Sequence, residues 1–118
     1  MISPATIRVV LADDNLLIRE GVAAVLASLE GVELVGECDD VESLREAVRA
    51  GRPDVVITDI RMPPTHTDEG IQAALEIRAE QPDIGVIVLS QFSEPEFVLA
   101  LLENGSNGLG YLLKERVN

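Results

Sequence analysis

The sequence predicts an α/β protein built on one parallel, doubly wound sheet of five strands, with helices on both faces. Short apolar segments alternate with amphipathic segments along the chain, and this alternation is typical of strands joined by crossover helices. The apolar segments are apolar at nearly every position, as expected for strands that are buried on both faces. The length of 118 residues corresponds to one compact domain.

The first half of the chain contains two predicted strand–helix pairs. Residues 7–12 are apolar and β-branched, which favours a strand, and the helix predicted at 16–29 has apolar residues at helical spacing. These residues are Leu17, Val22, Val25, Leu26 and Leu29. Residues 32–37 are predicted to form the second strand. Asp40 is a candidate N-cap of a helix that runs to Ala50 and ends at the glycine that follows.

The second half contains three further strands, predicted at 55–60, 84–89 and 109–113. A helix at 70–80 lies between the first two of them and ends before a proline, which cannot continue a helix. A capping box with proline in its first turn opens a helix at 93–103. The order of elements is therefore β-α-β-α-β-α-β-α-β.

Five parallel strands in a chain of this length fit a flavodoxin-like sheet with strand order 2-1-3-4-5. A sheet of this kind needs helices on both faces, so a fifth helix should follow the fifth strand, where only residues 114–118 remain. We therefore expect a natural protein that continues past this chain, with its fifth helix downstream. The alternative is a chain that ends at Asn118 and whose open sheet face is covered by another subunit.

The composition excludes several classes of protein. Acidic residues outnumber basic residues 21 to 9, for a net charge of −12, so the chain by itself lacks the positive charge that nucleic-acid binding requires. The single cysteine, Cys38, excludes an internal disulfide. No apolar run reaches the ~20 residues of a membrane span, and residues 1–12 lack the pattern of a signal peptide. We therefore expect a cytoplasmic protein without a membrane partner.

Polar residues lie at the ends of four of the five predicted strands. They are Asp13, Asp14, Asp59, Ser90 and Lys114. Each alone is common as a cap or turn residue, but ligands of open α/β sheets bind at the carboxyl ends of the strands, where all five would meet. Three carboxylates repel one another unless a cation lies among them, and Mg²⁺ takes carboxylate oxygens together with phosphate. With the lysine ammonium and the serine hydroxyl, the set would hold a phosphoryl group and offer a carboxylate to attack it.

Four stretches carry a resemblance to a known family. They are VVLADDN at 9–15, DVVITDIRMP at 54–63, VIVLS at 86–90 and GYLLK at 110–114. Over its whole length the chain resembles the receiver domain of bacterial two-component response regulators, whose fold is the CheY-like form of this sheet. GYLLKERV and DIRMPPTHTDEG are similar to the NarL/LuxR-type subgroup, whose receivers precede a DNA-binding helix-turn-helix domain that this chain does not contain.

The resemblance implies a role for each matching residue of the metal site. Asp59 would be the phosphoacceptor, attacking a phosphohistidine of a sensor histidine kinase to form an acyl phosphate. Asp14 would bind Mg²⁺ (or Mn²⁺) directly and Asp13 mostly through water. The Asp59 carboxylate and the backbone carbonyl of Arg61 would complete the protein ligands.

The resemblance also implies a conformational switch. Lys114 would pair with the phosphoryl oxygens, Ser90 would turn to hydrogen-bond them, and Tyr111 would rotate in response. The affected surface would be the fourth helix, the fifth strand and the fifth helix, and a homodimer could form through the first two. The domain would be a signalling module that catalyses its own phosphorylation and dephosphorylation, with DNA bound only by the output domain.

The sequence departs from the broad family pattern at three places. The loop at 63–70 is longer than in many receivers, so it could shape access of the kinase. Gln91 follows Ser90 where the family usually has a small residue, and we expect slower phosphotransfer or hydrolysis from it. Glu115 follows Lys114 where many receivers have proline, as is common in the subgroup.

Three other functions are compatible with the predicted fold. An aspartyl phosphatase or phosphotransferase of the haloacid-dehalogenase type would use Asp59 on free substrates, but it would need a second acid where Arg61 stands. A flavin or nucleotide binder would need a Gly- or Ser/Thr-rich phosphate loop after the first strand, where Asp13 and Asp14 stand. A receiver-like interaction module that works without phosphate would not need the full set of strand-end residues.

Overall fold

A computed structural model describes residues 6–60, 69–90 and 109–113, with Ser90 and 109–113 described by their backbone. Its elements in chain order are β1 (Ile7–Ala12), α1 (Leu16–Ala27), β2 (Val32–Cys38), α2 (Val41–Gly51), β3 (Val55–Asp59), α3 (Glu69–Glu80), β4 (Gly85–Ser90) and β5 (Leu109–Leu113). The helix predicted at 93–103 and the chain after residue 113 lie outside the described residues.

The five strands form one parallel sheet in the order β2-β1-β3-β4-β5, which confirms the predicted topology. The register brings the carboxyl ends of the central strands level with one another. Ala12 of β1 pairs with Thr58 of β3, Asp59 pairs with Leu89 of β4, and Ser90 pairs with Leu113. The residues that follow β1 therefore lie beside the end of β3.

The sheet is buried on both faces, which explains why its strands are apolar at nearly every position. Residues of β1 alternate between two clusters, so that Val10 packs with α2 and α3 while Leu11 packs with α1. The larger cluster includes Leu44 and Val48 of α2 and several residues of α3. The predicted parallel sheet with helices on both sides is thereby confirmed.

Helix α1 differs from its prediction in length and in its buried face. It ends at Ala27 with Ser28 as its C-cap, and the backbone N–H of Ser28 bonds the carbonyls of Ala24 and Val25 at 3.2 and 3.1 Å. Val22 and Leu26 are its buried residues. The other apolar residues at helical spacing are exposed: Leu17 by 80%, Val25 by 49% and Leu29 by 49%. A helix on a flat sheet buries one narrow stripe, and α1 is apolar outside that stripe as well.

Helix α2 begins and ends with defined caps. The side chain of Asp40 accepts a hydrogen bond from the Ser43 backbone N–H at 2.8 Å, which confirms the predicted N-cap. The glycine predicted to end the helix, Gly51, is its last helical residue, and Arg52 takes the left-handed cap position with φ 46°. The Arg8 guanidinium donates a hydrogen bond to the carbonyl of Gly51. This carbonyl is in the last turn of α2, where the helix itself offers no partner.

No helix within residues 6–60 and 69–90 is long and apolar enough to cross a membrane.

Candidate metal and phosphoryl site

Three aspartates meet at the carboxyl edge of the sheet. Asp13 and Asp14 directly follow β1, and Asp59 is the last residue of β3. One carboxylate oxygen from each lies within 4.8 Å of the other two. Asp13 is fully buried, Asp59 is 6% exposed and Asp14 is exposed. The structure therefore brings together three of the residues that the sequence predicted to share a site.

Asp13 is held by the turn that joins β1 to α1. Its backbone N–H donates to the carbonyl of Cys38 at 3.0 Å, which continues the pairing of β1 with β2. Its Oδ1 accepts the backbone N–H of Asn15 at 2.8 Å, an Asx-type turn that ends the strand. Asn15 then caps α1 by accepting the N–H of Ile18 at 3.1 Å.

Arg19 connects this turn to the neighbouring strand. The side chain lies one turn into α1, donates to the backbone carbonyl of Asp13 at 2.9 Å and contacts the Glu37 carboxylate of β2 at 3.5 Å. Arg19 is not among the site residues predicted from the sequence. Its partner at the Asp13 turn is a main-chain oxygen, and no residue type in the sequence marks such a contact.

The main chain around Asp59 is anchored on several sides. The N–H of Ile60 donates to the carbonyl of Leu89 at 3.3 Å, and the buried hydroxyl of Thr58 donates to the carbonyl of Asp59 at 3.0 Å. The N–H of Gly70, in the first turn of α3, donates to the carbonyl of Ile60 at 2.8 Å. The Asp59 side chain therefore extends from backbone that β4 and α3 both contact.

The chemistry of this donor set fits a hard divalent cation. Three carboxylates at this separation repel one another, and a cation among them relieves the repulsion. Mg²⁺ prefers oxygen ligands and is usually held by one or two carboxylates, with water and phosphate at its other positions. Within the described part of the chain, this is the one group of three such residues close enough to hold a metal ion.

Cys38 is close to this edge but has no reactive character. The residue is buried at the end of β2, and burial is the main cause that raises the pKa of its thiol. A thiol with a raised pKa stays protonated near neutral pH and is a poor nucleophile and metal ligand. Cys38 is therefore a small core residue.

The remaining predicted site residues are described only in part. The backbone of Ser90 ends β4, and Tyr111 lies in β5 opposite Val88; their side chains lie outside the described atoms. Arg61, Lys114 and the residues 63–68 of the long loop also lie outside the described residues, as do Gln91 and Glu115.

The comparisons with known proteins agree on one family. Residues 9–116 match the family model described as the response regulator receiver domain. The chain is 38% identical over 109 residues to the transcriptional regulatory protein DegU of Brevibacillus brevis, covering 92% of this chain and 44% of that protein. It is 38% identical over 112 residues to the probable transcriptional regulatory protein NarL of Mycobacterium tuberculosis, covering 95% of this chain and 50% of that one.

A solved structure extends the comparison to three dimensions. The signal receiver domain of the putative response regulator NarL from Mycobacterium tuberculosis superposes with a TM-score of 0.81 at 38% identity, over 95% of this chain and 86% of that one. The chain spans about half the length of the curated relatives it matches. Fold, acidic site and sequence agree, and the chain belongs to the response regulator receiver domain family, with relatives among the NarL-type transcriptional regulators.

Proposed function

We propose that this receiver domain accepts a phosphoryl group on Asp59 from a sensor histidine kinase, in a reaction that needs Mg²⁺ (or Mn²⁺). The observation that carries the proposal is the position of Asp59. Its carboxylate is almost buried at the end of a central strand, within 4.8 Å of two more carboxylates. In a receiver domain, this is the arrangement that joins a nucleophile to a metal site.

Asp13 and Asp14 would have different roles at the metal, as the resemblance to receiver domains implies. Asp14, the exposed member, would bind the ion directly, whereas the fully buried Asp13 would act mostly through water. The Arg61 carbonyl would complete the protein ligands. The bound ion would supply positive charge for the phosphoryl oxygens.

Phosphoryl transfer would form one bond and break one. An Asp59 carboxylate oxygen attacks the phosphorus of the kinase phosphohistidine, the P–N bond breaks, and the phosphoryl group remains on Asp59 as an acyl phosphate. The Lys114 ammonium would pair with the phosphoryl oxygens, and the Ser90 hydroxyl would hydrogen-bond one of them. Water attack on the same phosphorus, catalysed by the domain itself, would restore the free carboxylate.

The new phosphate would act as a switch through β4 and β5. Ser90 and Tyr111 lie on these neighbouring strands. As the resemblance to receiver domains implies, Ser90 would turn towards the phosphate and Tyr111 would rotate in response. A local change of charge would then bias the surface formed by β5 and the predicted fourth helix. We propose that this surface mediates homodimerisation and controls a helix-turn-helix output domain that binds DNA in the cytoplasm.

The test is labelling by a small-molecule phosphodonor. With acetyl phosphate and Mg²⁺, the chain gains one phosphoryl group by intact mass, and D59N gains none while its circular dichroism spectrum stays that of the folded chain. The matched control is D83N, which removes the same charge from an exposed position before β4, at the opposite end of the strands. Label retained on D59N, or a chain that is never labelled, contradicts the proposal.

A further inference from the structure

Gly70 packs directly on the main chain of Asp59. It lies in the first turn of α3, and its N–H donates to the carbonyl of Ile60 at 2.8 Å. A Cβ atom at position 70 would overlap the carbonyl oxygen of Asp59 and would lie 2.7 Å from its carbonyl carbon. The same Cβ would lie 3.0 Å from the carbonyl oxygen of Ile60. The first turn of α3 can therefore take this position only with glycine at residue 70.

Three glycines elsewhere in the described part of the chain do not meet this restriction. A Cβ on Gly21 or Gly31 would have no atom within 4 Å, and on Gly36 its nearest neighbours would lie at an ordinary 3.6 Å. Gly31 alone among them has a left-handed backbone, with φ 77°. At Gly70 the requirement is for space rather than for a special conformation, and the space is needed beside the phosphoacceptor.

The Asp59–Ile60 peptide, which Gly70 contacts, is held in place by hydrogen bonds. The Asp59 carbonyl oxygen accepts a hydrogen bond from the Thr58 hydroxyl at 3.0 Å. The Ile60 N–H donates to the carbonyl of Leu89 in β4 at 3.3 Å. The atoms facing position 70 are backbone, so a rotamer change cannot relieve the overlap. A methyl group there must move α3 away or shift the Asp59–Ile60 peptide, and the carboxylate moves with its backbone.

We propose that Gly70 and Thr58 are positioning residues that hold the Asp59–Ile60 peptide from two sides and so place the Asp59 carboxylate for Mg²⁺ and phosphoryl transfer. This inference rests on the proposed function of Asp59. Mg²⁺ demands nearly ideal octahedral geometry at ~2.1 Å, so a small displacement of one carboxylate weakens its binding. Loss of residues that support metal ligands costs about 10- to 100-fold in metal affinity or activity.

The experiment measures Mg²⁺ affinity separately from fold stability. The Kd for Mg²⁺ is obtained from amide chemical shifts of the Asp13–Asn15 turn during a titration, and stability from urea unfolding without Mg²⁺. In G70A we expect the Kd to rise about tenfold or more, and labelling by acetyl phosphate to slow at a fixed Mg²⁺ concentration. V48A, a cavity variant under α2 in the same core, should lose stability and keep the wild-type Kd.

Two further variants keep the inference testable if G70A does not fold. T58V removes the hydroxyl that donates to the Asp59 carbonyl while conserving side-chain shape, and it should also raise the Kd for Mg²⁺. T58S keeps the hydroxyl and should have the wild-type Kd. G36A, with ordinary contacts at its new Cβ, should leave the Kd unchanged.

The outcomes separate the two proposals. If the wild-type chain is labelled on Asp59 but G70A and T58V keep the wild-type Kd, the positioning role is overturned and the phosphoacceptor role stands. A Kd in G70A that rises only as far as in V48A also overturns it, because loss of stability would then explain the effect. A wild-type chain that binds Mg²⁺ but is never labelled overturns the phosphoacceptor role, and the Kd comparison still decides whether Gly70 and Thr58 position the carboxylate.

Discussion

Asp13 and Asp14 are neighbours in the sequence, yet the first is buried and the second exposed. The Asx-type turn causes the difference, because the Asp13 carboxylate turns inward to accept the N–H of Asn15 and Asp14 is left on the outside of the turn. Two identical side chains at one site thereby acquire different surroundings. Their different proposed roles towards a cation are carried over from the receiver family, and the structure adds this difference in burial.

Asp40 provides a prediction for the pH dependence of stability. The hydrogen bonds from the Ser43 hydroxyl and then the Ser43 backbone N–H lower the pKa of the Asp40 carboxyl in the folded chain. A lowered folded-state pKa means that this contribution is fully present above the unfolded value of about 3.9 and is lost as pH falls through the folded value. Asparagine caps a helix equally well but does not titrate.

We therefore expect D40N to match the wild type in urea unfolding near neutral pH and to lose less stability on acidification from about pH 5 to pH 2. D40A, which cannot cap, should lose about 1 kcal/mol at neutral pH. D39N removes a neighbouring exposed charge and should follow the wild-type curve more closely than D40N does. A D40N curve that runs parallel to the wild type throughout would show that the cap contributes no pH dependence.

At the scale of elements, one leucine of α1 and one leucine of α2 have opposite surroundings. Leu44 of α2 is fully buried in the larger core cluster, whereas Leu17 of α1 is 80% exposed. Both fit an apolar helical pattern in the sequence. The position of each helix axis over the sheet decides which of its faces is buried, and a helical pattern does not contain that information.

The same substitution on the two helices should therefore have very different effects. L44A removes a buried side chain and leaves a cavity, and it should lower the free energy of unfolding by about 2–5 kcal/mol. L17A removes atoms that already contact water, and its effect should stay within about 0.5 kcal/mol. Urea unfolding of both variants in one buffer makes the comparison, and equal losses would contradict the burial of α2 and the exposure of this face of α1.

At the scale of the whole molecule, a net charge of −12 makes stability sensitive to cations of every kind. Screening by salt weakens the general repulsion, whereas a Mg²⁺ ion bound among Asp13, Asp14 and Asp59 acts at one site by mass action. The two effects can be separated by comparing MgCl₂ with NaCl at equal ionic strength.

We expect Mg²⁺ to raise the Tm above the NaCl control by a few degrees, since a tenfold excess over Kd contributes about 1.4 kcal/mol. D14N should lose this extra rise. D83N removes the same charge at an exposed position far from the site and should keep it. A rise in Tm that is equal in MgCl₂ and NaCl would exclude a specific site.

Much of the fold and part of the site could be predicted from local patterns. Each described strand begins and ends within one residue of its prediction, because apolar β-branched segments between turn residues are a local signal. The Asp40 cap was predictable for the same reason. The grouping of Asp13 and Asp59 followed from topology, since the carboxyl ends of parallel strands share one edge.

The sequence by itself determined the order of elements, the parallel sheet and the candidate metal ligands, because residue type and spacing along the chain specify them. Only the tertiary structure decided which face of α1 is buried, which aspartate is exposed, and that Gly70 lies against the main chain of Asp59. These properties depend on how distant segments pack. The overlap at Gly70 involves carbonyl atoms of residues eleven and ten positions earlier, and every residue has a carbonyl whatever its side chain.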